Sequence, residues 1–125
     1  MAASLGLVLD CHDPHRLADF WSAAIGYKTV GSAGSYVLLV DEEGHQPKLL
    51  LQQVAEPKAG KNRMHLDIET PDAEHEAVRL EQLGAMRVEG PIREHNCRWI
   101  VMNDPEGNEF CVCTGGQSET PEPCC

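Results

Sequence analysis

Apolar and polar residues alternate in short runs along this chain, and the same pattern occurs twice. The first copy opens with the apolar residues 5–9, and the second opens with residues 64–68. Each run leads into a helix-start signal, with Asp13 or Thr70 as the predicted N-cap and a proline directly after it. Each helical pattern ends at a glycine and is followed by three strand patterns. Each copy therefore predicts the element order βαβββ.

The periodicity predicts eight strands and two helices. The predicted strands cover residues 4–10, 27–32, 35–41, 47–54, 64–69, 85–90, 97–103 and 109–114, and the predicted helices cover 14–25 and 71–83. The first helix carries an apolar stripe that includes Trp21, which favours burial of that stripe against a sheet. We therefore predict an α+β fold, in which two tandem βαβββ modules form a curved mixed sheet with an open cleft.

The length of the chain, 125 residues, predicts one domain. We place this domain at residues 1–114 and divide it into modules 4–55 and 63–114. Residues 115–125 have almost nothing to bury, so we predict a disordered tail that ends in Cys124 and Cys125.

The charge balance excludes some classes of partner. With 10 basic and 20 acidic residues the net charge is −10, which argues against nucleic acid or an anionic membrane as a partner. No apolar run has the length of a membrane-spanning helix, and the chain is predicted to be cytoplasmic. The residues Cys11, Cys97, Cys111 and Cys113 lie in or beside strand patterns, so we interpret them as small apolar residues with free thiols.

Three stretches have a distinctive order and spacing: residues 7–14 leading into 17–21, the run 65–68, and residues 104–112. Together they resemble the vicinal oxygen chelate superfamily, which contains glyoxalases, bleomycin-resistance proteins and extradiol dioxygenases. Within it the chain is most similar to small bacterial glyoxalase-like proteins, and the similarity extends from about residue 5 to 114. The resemblance implies paired βαβββ modules, a cleft and often a dimer, but one fold can carry many functions.

The resemblance also implies positions for a divalent metal that would act as a Lewis acid. The first ligand position falls on Gly6, which has no side chain, and its match in the second copy is His65. The last-strand position falls on Cys111, and its first-copy counterpart on Gln52 or Gln53. We therefore predict no resident metal. If one binds, the set His65, Gln52 and Cys111 suits zinc or nickel better than magnesium or manganese.

The predicted ligand-binding residues lie on the open faces of both copies. They are Gln52, His65, Asp67, Arg98, Trp99 and Cys111. No catalytic residue is assigned, and His65 is the first candidate because an unperturbed imidazole titrates near neutral pH. Which side of the strand at 97–103 faces the cleft is left open, because a slip of one residue exchanges the faces.

Two neighbouring carboxylates have alternative roles. Asp67 would orient the imidazole of His65, or would instead pair with Arg98. Glu109 would supply a further carboxylate to the cleft, or would lie at its rim.

These features favour a metal-free protein that binds a small molecule in the cleft. The alternative is a metal-dependent lyase, isomerase or dioxygenase that acts on vicinal oxygens, and a third reading is a metal-free acid–base enzyme that uses His65 and Asp67. We also expect a homodimer, because apolar strand edges need to be paired or covered.

Overall fold

The structure is a computed structural model that describes residues 4–94 and 96–115. The chain forms two compact units, which divide between Ala59 and Gly60. Each unit contains one helix and one four-stranded sheet in the order βαβββ. The predicted α+β fold of two tandem βαβββ modules is confirmed.

The first unit has β1 (Gly6–Cys11), α1 (Pro14–Ile25), β2 (Lys28–Ala33), β3 (Tyr36–Val40) and β4 (Lys48–Gln53). The sheet order is β1-β4-β3-β2, with β1 parallel to β4 and the other pairs antiparallel. Helix α1 has the predicted bounds, because the Asp13 carboxylate accepts a hydrogen bond from the backbone N–H of Arg16 at 3.2 Å. It ends at Gly26, whose φ of 71° favours glycine.

The second unit has β5 (Leu66–Glu69), α2 (Ala73–Gln82), β6 (Met86–Glu94), β7 (Cys97–Asn103) and β8 (Glu109–Thr114). Its sheet order is β5-β8-β7-β6, with β5 parallel to β8. The prediction that Thr70 caps α2 is wrong. The N-cap is Asp72, whose carboxylate accepts a hydrogen bond from the backbone N–H of His75 at 3.1 Å. The backbone N–H of Thr70 instead donates to the carbonyl of Cys113, which continues the pairing of β5 with β8.

Strand β6 is longer than predicted. The predicted strand ended at residue 90, but β6 continues to Glu94 with shifted register on both sides of Glu89. The Gly90–Pro91 peptide bond is cis, and Gly90 has a φ of 107°. A Cβ at Gly90 would lie 2.9 Å from the carbonyl oxygen of Trp99, so the close approach of the two strands requires glycine here.

One face of each sheet is buried under the helix of its own unit. In the first unit Leu17, Phe20 and Trp21 of α1 are fully buried, and the rings of Phe20 and Trp21 meet edge to face with centroids 5.2 Å apart. The expected role of Trp21 as a core anchor is therefore confirmed. In the second unit α2 buries smaller residues, Ala73, Ala77 and Leu80, and the sheet supplies the larger ones: Ile100, Met102, Phe110 and Val112.

An aspartate organises the turn before the last strand in each unit. The Asp41 carboxylate accepts the backbone N–H groups of Glu43, His45 and Gln46. The buried Asp104 carboxylate accepts those of Glu106 and Asn108. The first turn, residues 41–47, is two residues longer than the second, residues 104–108, which changes how positions on β4 and β8 correspond.

The cysteines differ from the prediction at one position. Cys97 is disulfide-bonded, so it is not the free thiol that its strand pattern suggested, because spacing alone does not reveal pairing. Cys11, Cys111 and Cys113 are buried and are not disulfide-bonded. The predicted disordered tail lies outside the described residues except for Gly115.

Neither of the two helices in the described residues has the length and apolarity needed to cross a membrane.

Candidate functional site

The sheet of the second unit has one face that points away from α2. We call it the second open face. Side chains alternate between the two faces along a strand, and paired residues on neighbouring strands share a face. The register therefore assigns nine residues to this face in three rows: His65, Glu109 and Asn103; Asp67, Cys111 and Val101; and Glu69, Cys113 and Trp99.

Three of these side chains meet at the start of β5. The donor atoms of His65, Asp67 and Cys111 all lie within 4.8 Å of one another. Asp67 and Cys111 are direct partners in the β5–β8 pairing, and His65 is two residues before Asp67 on the same side. The parallel pairing of β5 with β8 therefore brings together residues that are 44 to 46 positions apart in the sequence.

The His65 imidazole is close to Asp67 without forming an aligned hydrogen bond. Its Nδ1 atom lies 3.2 Å from Oδ1 of Asp67. The same Nδ1 atom is shielded from solvent and has no hydrogen-bond partner among the described residues. Burial raises the pKa of Asp67 above its usual value and nearby Glu69 adds to this, while His65 acts in the opposite direction.

A second buried atom on this face also lacks a partner. The Oδ1 atom of Asn103 is shielded from solvent and accepts no hydrogen bond. His65 Nδ1 and Asn103 Oδ1 are the two such side-chain atoms within the described residues. Buried polar groups are nearly always hydrogen-bonded, so an unpaired one calls for an explanation such as a bound molecule or ion.

The structure resolves the alternatives for Asp67 and Glu109. Asp67 neighbours His65, whereas Arg98 lies on the α2 side of the sheet, in register with Thr114. The Glu109 carboxylate accepts the backbone N–H of Asn62 at 2.9 Å and is not part of the three-residue cluster.

The predicted pair Arg98 and Trp99 is separated by the pleat of β7. Trp99 is on the second open face, in register with Cys113. Arg98 instead lines a cavity of about 490 Å³ beside the start of α2, together with Asp72, Arg93 and Thr114. Arg98 is therefore not placed with the other predicted ligand-binding residues of the second unit.

The first unit has an equivalent face, which we call the first open face. It presents Gly6, Val8 and Asp10 on β1 with Lys48, Leu50 and Gln52 on β4. Gln52 is thus on the open face of its own unit as expected, and its Nε2 donates to the Tyr36 hydroxyl at 3.5 Å.

The register corrects the expected counterpart of Cys111. Counted back from the caps Asp13 and Asp72, Gly6 corresponds to His65 and Val8 to Asp67. In each unit the first strand pairs in parallel with the last. Val8 pairs with Leu50 in the first unit, and Asp67 pairs with Cys111 in the second. The counterpart of Cys111 is therefore Leu50, not Gln52 or Gln53. The turn at 41–47 is two residues longer than the turn at 104–108, which moves the corresponding position from 48 to 50, so the expected shift to 52 or 53 was too large.

The residues on the two faces differ in their capacity to hold a metal. At the three corresponding positions the first open face has Gly6, Val8 and Leu50, none of which is a metal donor. The second open face has an imidazole, a carboxylate and a thiol together, and the imidazole nitrogen Nδ1 is unpaired. A ligand set shared by both copies therefore does not fit this chain, whereas a set from the second unit alone does fit a zinc-type ion.

Asn103, Val101 and Glu69 also lie on this face, although the sequence pattern did not single them out. The alternation of side chains on β7 and β8 would have identified them once the face of Cys111 was chosen.

Comparison with known proteins agrees with this architecture. The model of a family described as a glyoxalase-like domain matches residues 6–113. The chain therefore belongs to the family of glyoxalase-like domains. A search of curated proteins found no significant sequence match.

Solved structures show the same fold at low sequence identity. A glyoxalase/bleomycin resistance protein/dioxygenase family enzyme from Burkholderia phytofirmans has a TM-score of 0.77 and 14% identity, over 90% of this chain and 99% of that one. The fosfomycin resistance protein FosX from Mesorhizobium loti has a TM-score of 0.71 and 19% identity, over 95% and 97%. A glyoxalase family protein from Bacillus cereus has a TM-score of 0.71 and 14% identity, over 92% and 95%.

Proposed function

We propose that this chain is a small-molecule-binding protein whose ligand contacts the second open face at His65 and Asn103. The observation that carries the proposal is that two buried polar atoms on this face make no hydrogen bond within the described residues: Asn103 Oδ1, and His65 Nδ1, which lies 3.2 Å from Asp67 Oδ1. Leaving such atoms without partners costs about 1–3 kcal/mol each. A ligand that pairs with both atoms removes that cost, which favours the bound state.

The surroundings of these atoms suit a small ligand that is partly apolar. Trp99 and Val101 lie on the same face, and binding sites combine apolar contact area with a few placed polar groups. The Oδ1 atom of Asn103 can only accept a hydrogen bond, so a ligand that carries a hydroxyl group fits best. The similarity in fold to a fosfomycin resistance protein is consistent with a small organic molecule as ligand.

Ligand-observed NMR with a fragment library of hydroxy-ketones, hydroxy-acids, catechols and aromatic cations tests this proposal. We expect fragments that bind the wild-type chain and are lost in both His65→Ala and Asn103→Leu. His75→Ala is the matched control, because His75 is an exposed histidine on α2 of the same unit. Equal fragment binding by wild type and both variants would overturn the proposal.

The second candidate function is metal-dependent catalysis on a substrate with vicinal oxygens. It is favoured by the cluster of His65, Asp67 and Cys111. When bound there, a divalent metal would supply Lewis-acid polarisation of substrate oxygens. The chain's own residues would position the substrate, with Trp99 providing apolar contact and His65 or Asp67 a polar one.

We further propose that the chain lacks lactoylglutathione lyase activity, because Gly6 and Leu50 supply no metal donor at the two positions that correspond to His65 and Cys111. A direct assay with the hemithioacetal of methylglyoxal and glutathione, in protein loaded with zinc or nickel, checks this expectation. Turnover above that of His65→Ala would contradict it.

We also propose a homodimer. Several large apolar side chains are exposed in the single chain, including Leu5 at 79% and Met64 at 74%, and surfaces of this kind are usually covered. Light scattering at micromolar concentration tests this, and a monomeric mass would contradict it.

A further inference from the structure

We propose that the cavity beside the start of α2 binds the phosphate group of a small hydroxylated phosphate ester through Arg93 and Arg98. The cavity has a volume of about 490 Å³, and its lining residues all belong to the second unit. This volume is within the usual range of small-molecule sites. Arg98 and its strand partner Thr114 place the cavity on the α2 side of the sheet, opposite the second open face. The proposal is therefore independent of the function proposed above.

The first argument is the pairing of two like charges. Arg93 and Arg98 are direct partners in the antiparallel pairing of β6 with β7, and both residues are exposed and line the cavity. Like charges directly opposite one another on a sheet are destabilising, because their Cβ atoms are only about 5 Å apart. An anion held between the two guanidinium groups would replace this repulsion with attraction to both.

The second argument is that the two guanidinium groups are not neutralised by the protein within the described residues. Arg87, on the same strand and the same side, is ion-paired with Glu74 and Glu81 of α2. Arg93 and Arg98 make no ion pair with a described carboxylate. A phosphate ester carries about 1.5 to 2 negative charges at neutral pH, and arginine binds phosphate oxygens through paired N–H donors. Since the chain has a net charge of −10, the phosphate is expected on a small molecule and not on nucleic acid or an anionic membrane.

The third argument comes from the uncharged and acidic groups around the arginines, which are Asp72, Asn96 and Thr114. The Oγ1 atom of Thr114 accepts the backbone N–H of Ala73 at 2.6 Å, so its hydroxyl hydrogen is left to donate to a phosphate oxygen. Asp72 uses Oδ1 to cap α2, and its Oδ2 atom is positioned to accept from a ligand hydroxyl. A carboxylate in the cavity repels a bare anion, which is why an ester with hydroxyl groups fits better than inorganic phosphate.

Isothermal titration calorimetry of the full-length protein with glucose 6-phosphate as the probe tests the proposal. Cys97 lines the cavity and is disulfide-bonded, so the titration is done without reductant. We expect one equivalent of glucose 6-phosphate to bind, inorganic phosphate to bind more weakly, and glucose not to bind. Arg93→Gln and Arg98→Gln should each weaken binding by about tenfold or more, because each removes charge-assisted hydrogen bonds.

The matched control is Arg63→Gln. It removes the same charge from an exposed arginine of the same unit that does not line the cavity, and it should bind glucose 6-phosphate as wild type does. Thermal unfolding adds a second readout, since a ligand that binds only the folded state raises the melting temperature. Glucose 6-phosphate should raise that of wild type and of Arg63→Gln, but not that of Arg93→Gln or Arg98→Gln. Cooperative unfolding of the ligand-free variants in the same scans shows that they are folded.

A further variant tests the role of the carboxylate. Asp72→Asn keeps the cap of α2, because asparagine caps helices as well as aspartate does, and it removes the negative charge. It should strengthen the binding of inorganic phosphate and so narrow the difference between this ion and glucose 6-phosphate. An unchanged or wider difference would overturn the preference for a hydroxylated ester.

Absence of saturable glucose 6-phosphate binding by wild type would overturn the proposal, as would unchanged affinity in either arginine variant or weakened affinity in Arg63→Gln. Gluconate binding as tightly as glucose 6-phosphate would overturn the assignment to a phosphate. His65→Ala and Asn103→Leu should bind glucose 6-phosphate as wild type does, whether or not they lose fragments at the second open face. Loss of glucose 6-phosphate binding in those two variants would place the probe on that face and overturn the separate site.

Discussion

The two units have the same element order and sheet topology, but they distribute large and polar residues differently. In the first unit the helix contributes large core side chains through Phe20 and Trp21, and the open face has Gly6, Val8 and Leu50 at the positions that correspond to the cluster. In the second unit the helix contributes alanines, the sheet contributes the bulk, and the open face carries His65, Asp67 and Cys111. A duplicated fold can therefore keep its framework in both copies while one copy alone carries the candidate chemistry.

The largest effect that we expect from a single substitution concerns the core of the first unit. Trp21→Ala removes a side chain that is 1% exposed and contacts the ring of Phe20. The lost burial and the remaining cavity should cost about 3–5 kcal/mol in the free energy of unfolding. Urea denaturation measures this, with Val78→Ala, which is 46% exposed on α2, as a control expected to stay within about 0.5 kcal/mol.

A smaller effect is expected under the helix of the second unit. Ala77 is a residue of α2 and is fully buried. Ala77→Leu should therefore overpack the core between α2 and the sheet and lower the free energy of unfolding by about 1–3 kcal/mol. The reason is that Ile100, Met102 and Phe110 are already fully buried in the core of this unit. A stabilising result in the same denaturation assay would mean that the second core contains unfilled volume.

A graft tests whether donor identity alone distinguishes the two open faces. The variant Gly6→His/Val8→Asp/Leu50→Cys places the three donors at the register positions that correspond to the cluster. If the cluster of His65, Asp67 and Cys111 binds a metal, as the second candidate function requires, this variant should bind a second equivalent of zinc, about tenfold more weakly because no surrounding residues support the new ligands. A stoichiometry that stays at one equivalent would show that the second unit provides more than donor identity.

The smallest effect is expected at Gly6 alone. A Cβ there would meet the Cε of Lys48 at 3.0 Å, and this flexible side chain can move away. Gly6→Ala should therefore stabilise the protein by about 0.5 kcal/mol, because alanine restricts the unfolded chain more than glycine does. Thermal unfolding measures the shift, and a clear destabilisation would indicate that the absence of a side chain at Gly6 is needed for packing.

Local sequence signals predicted most of the fold. The bounds of α1, β7 and β8 agree with the prediction, because capping residues, glycine stops and alternating apolar residues act within a few positions of each other. The error at Thr70 arose because Pro71 gave a local helix-start signal, whereas the N–H of Thr70 continues the strand pairing and Asp72 caps the helix. The strand end at residue 90 was wrong because the pairing of β6 with β7 extends to Glu94.

The candidate site was only partly predictable. The sequence alone determined the repeat, the two helices, the family and the identity of His65 and Cys111 as the donors to consider. Only the tertiary structure decided that Asp67 joins them, that Trp99 and not Arg98 shares their face, that Leu50 corresponds to Cys111, and that Cys97 is disulfide-bonded. The physical reason is that a face is defined by the register between strands distant in sequence, and register depends on turn lengths and packing that no local pattern contains.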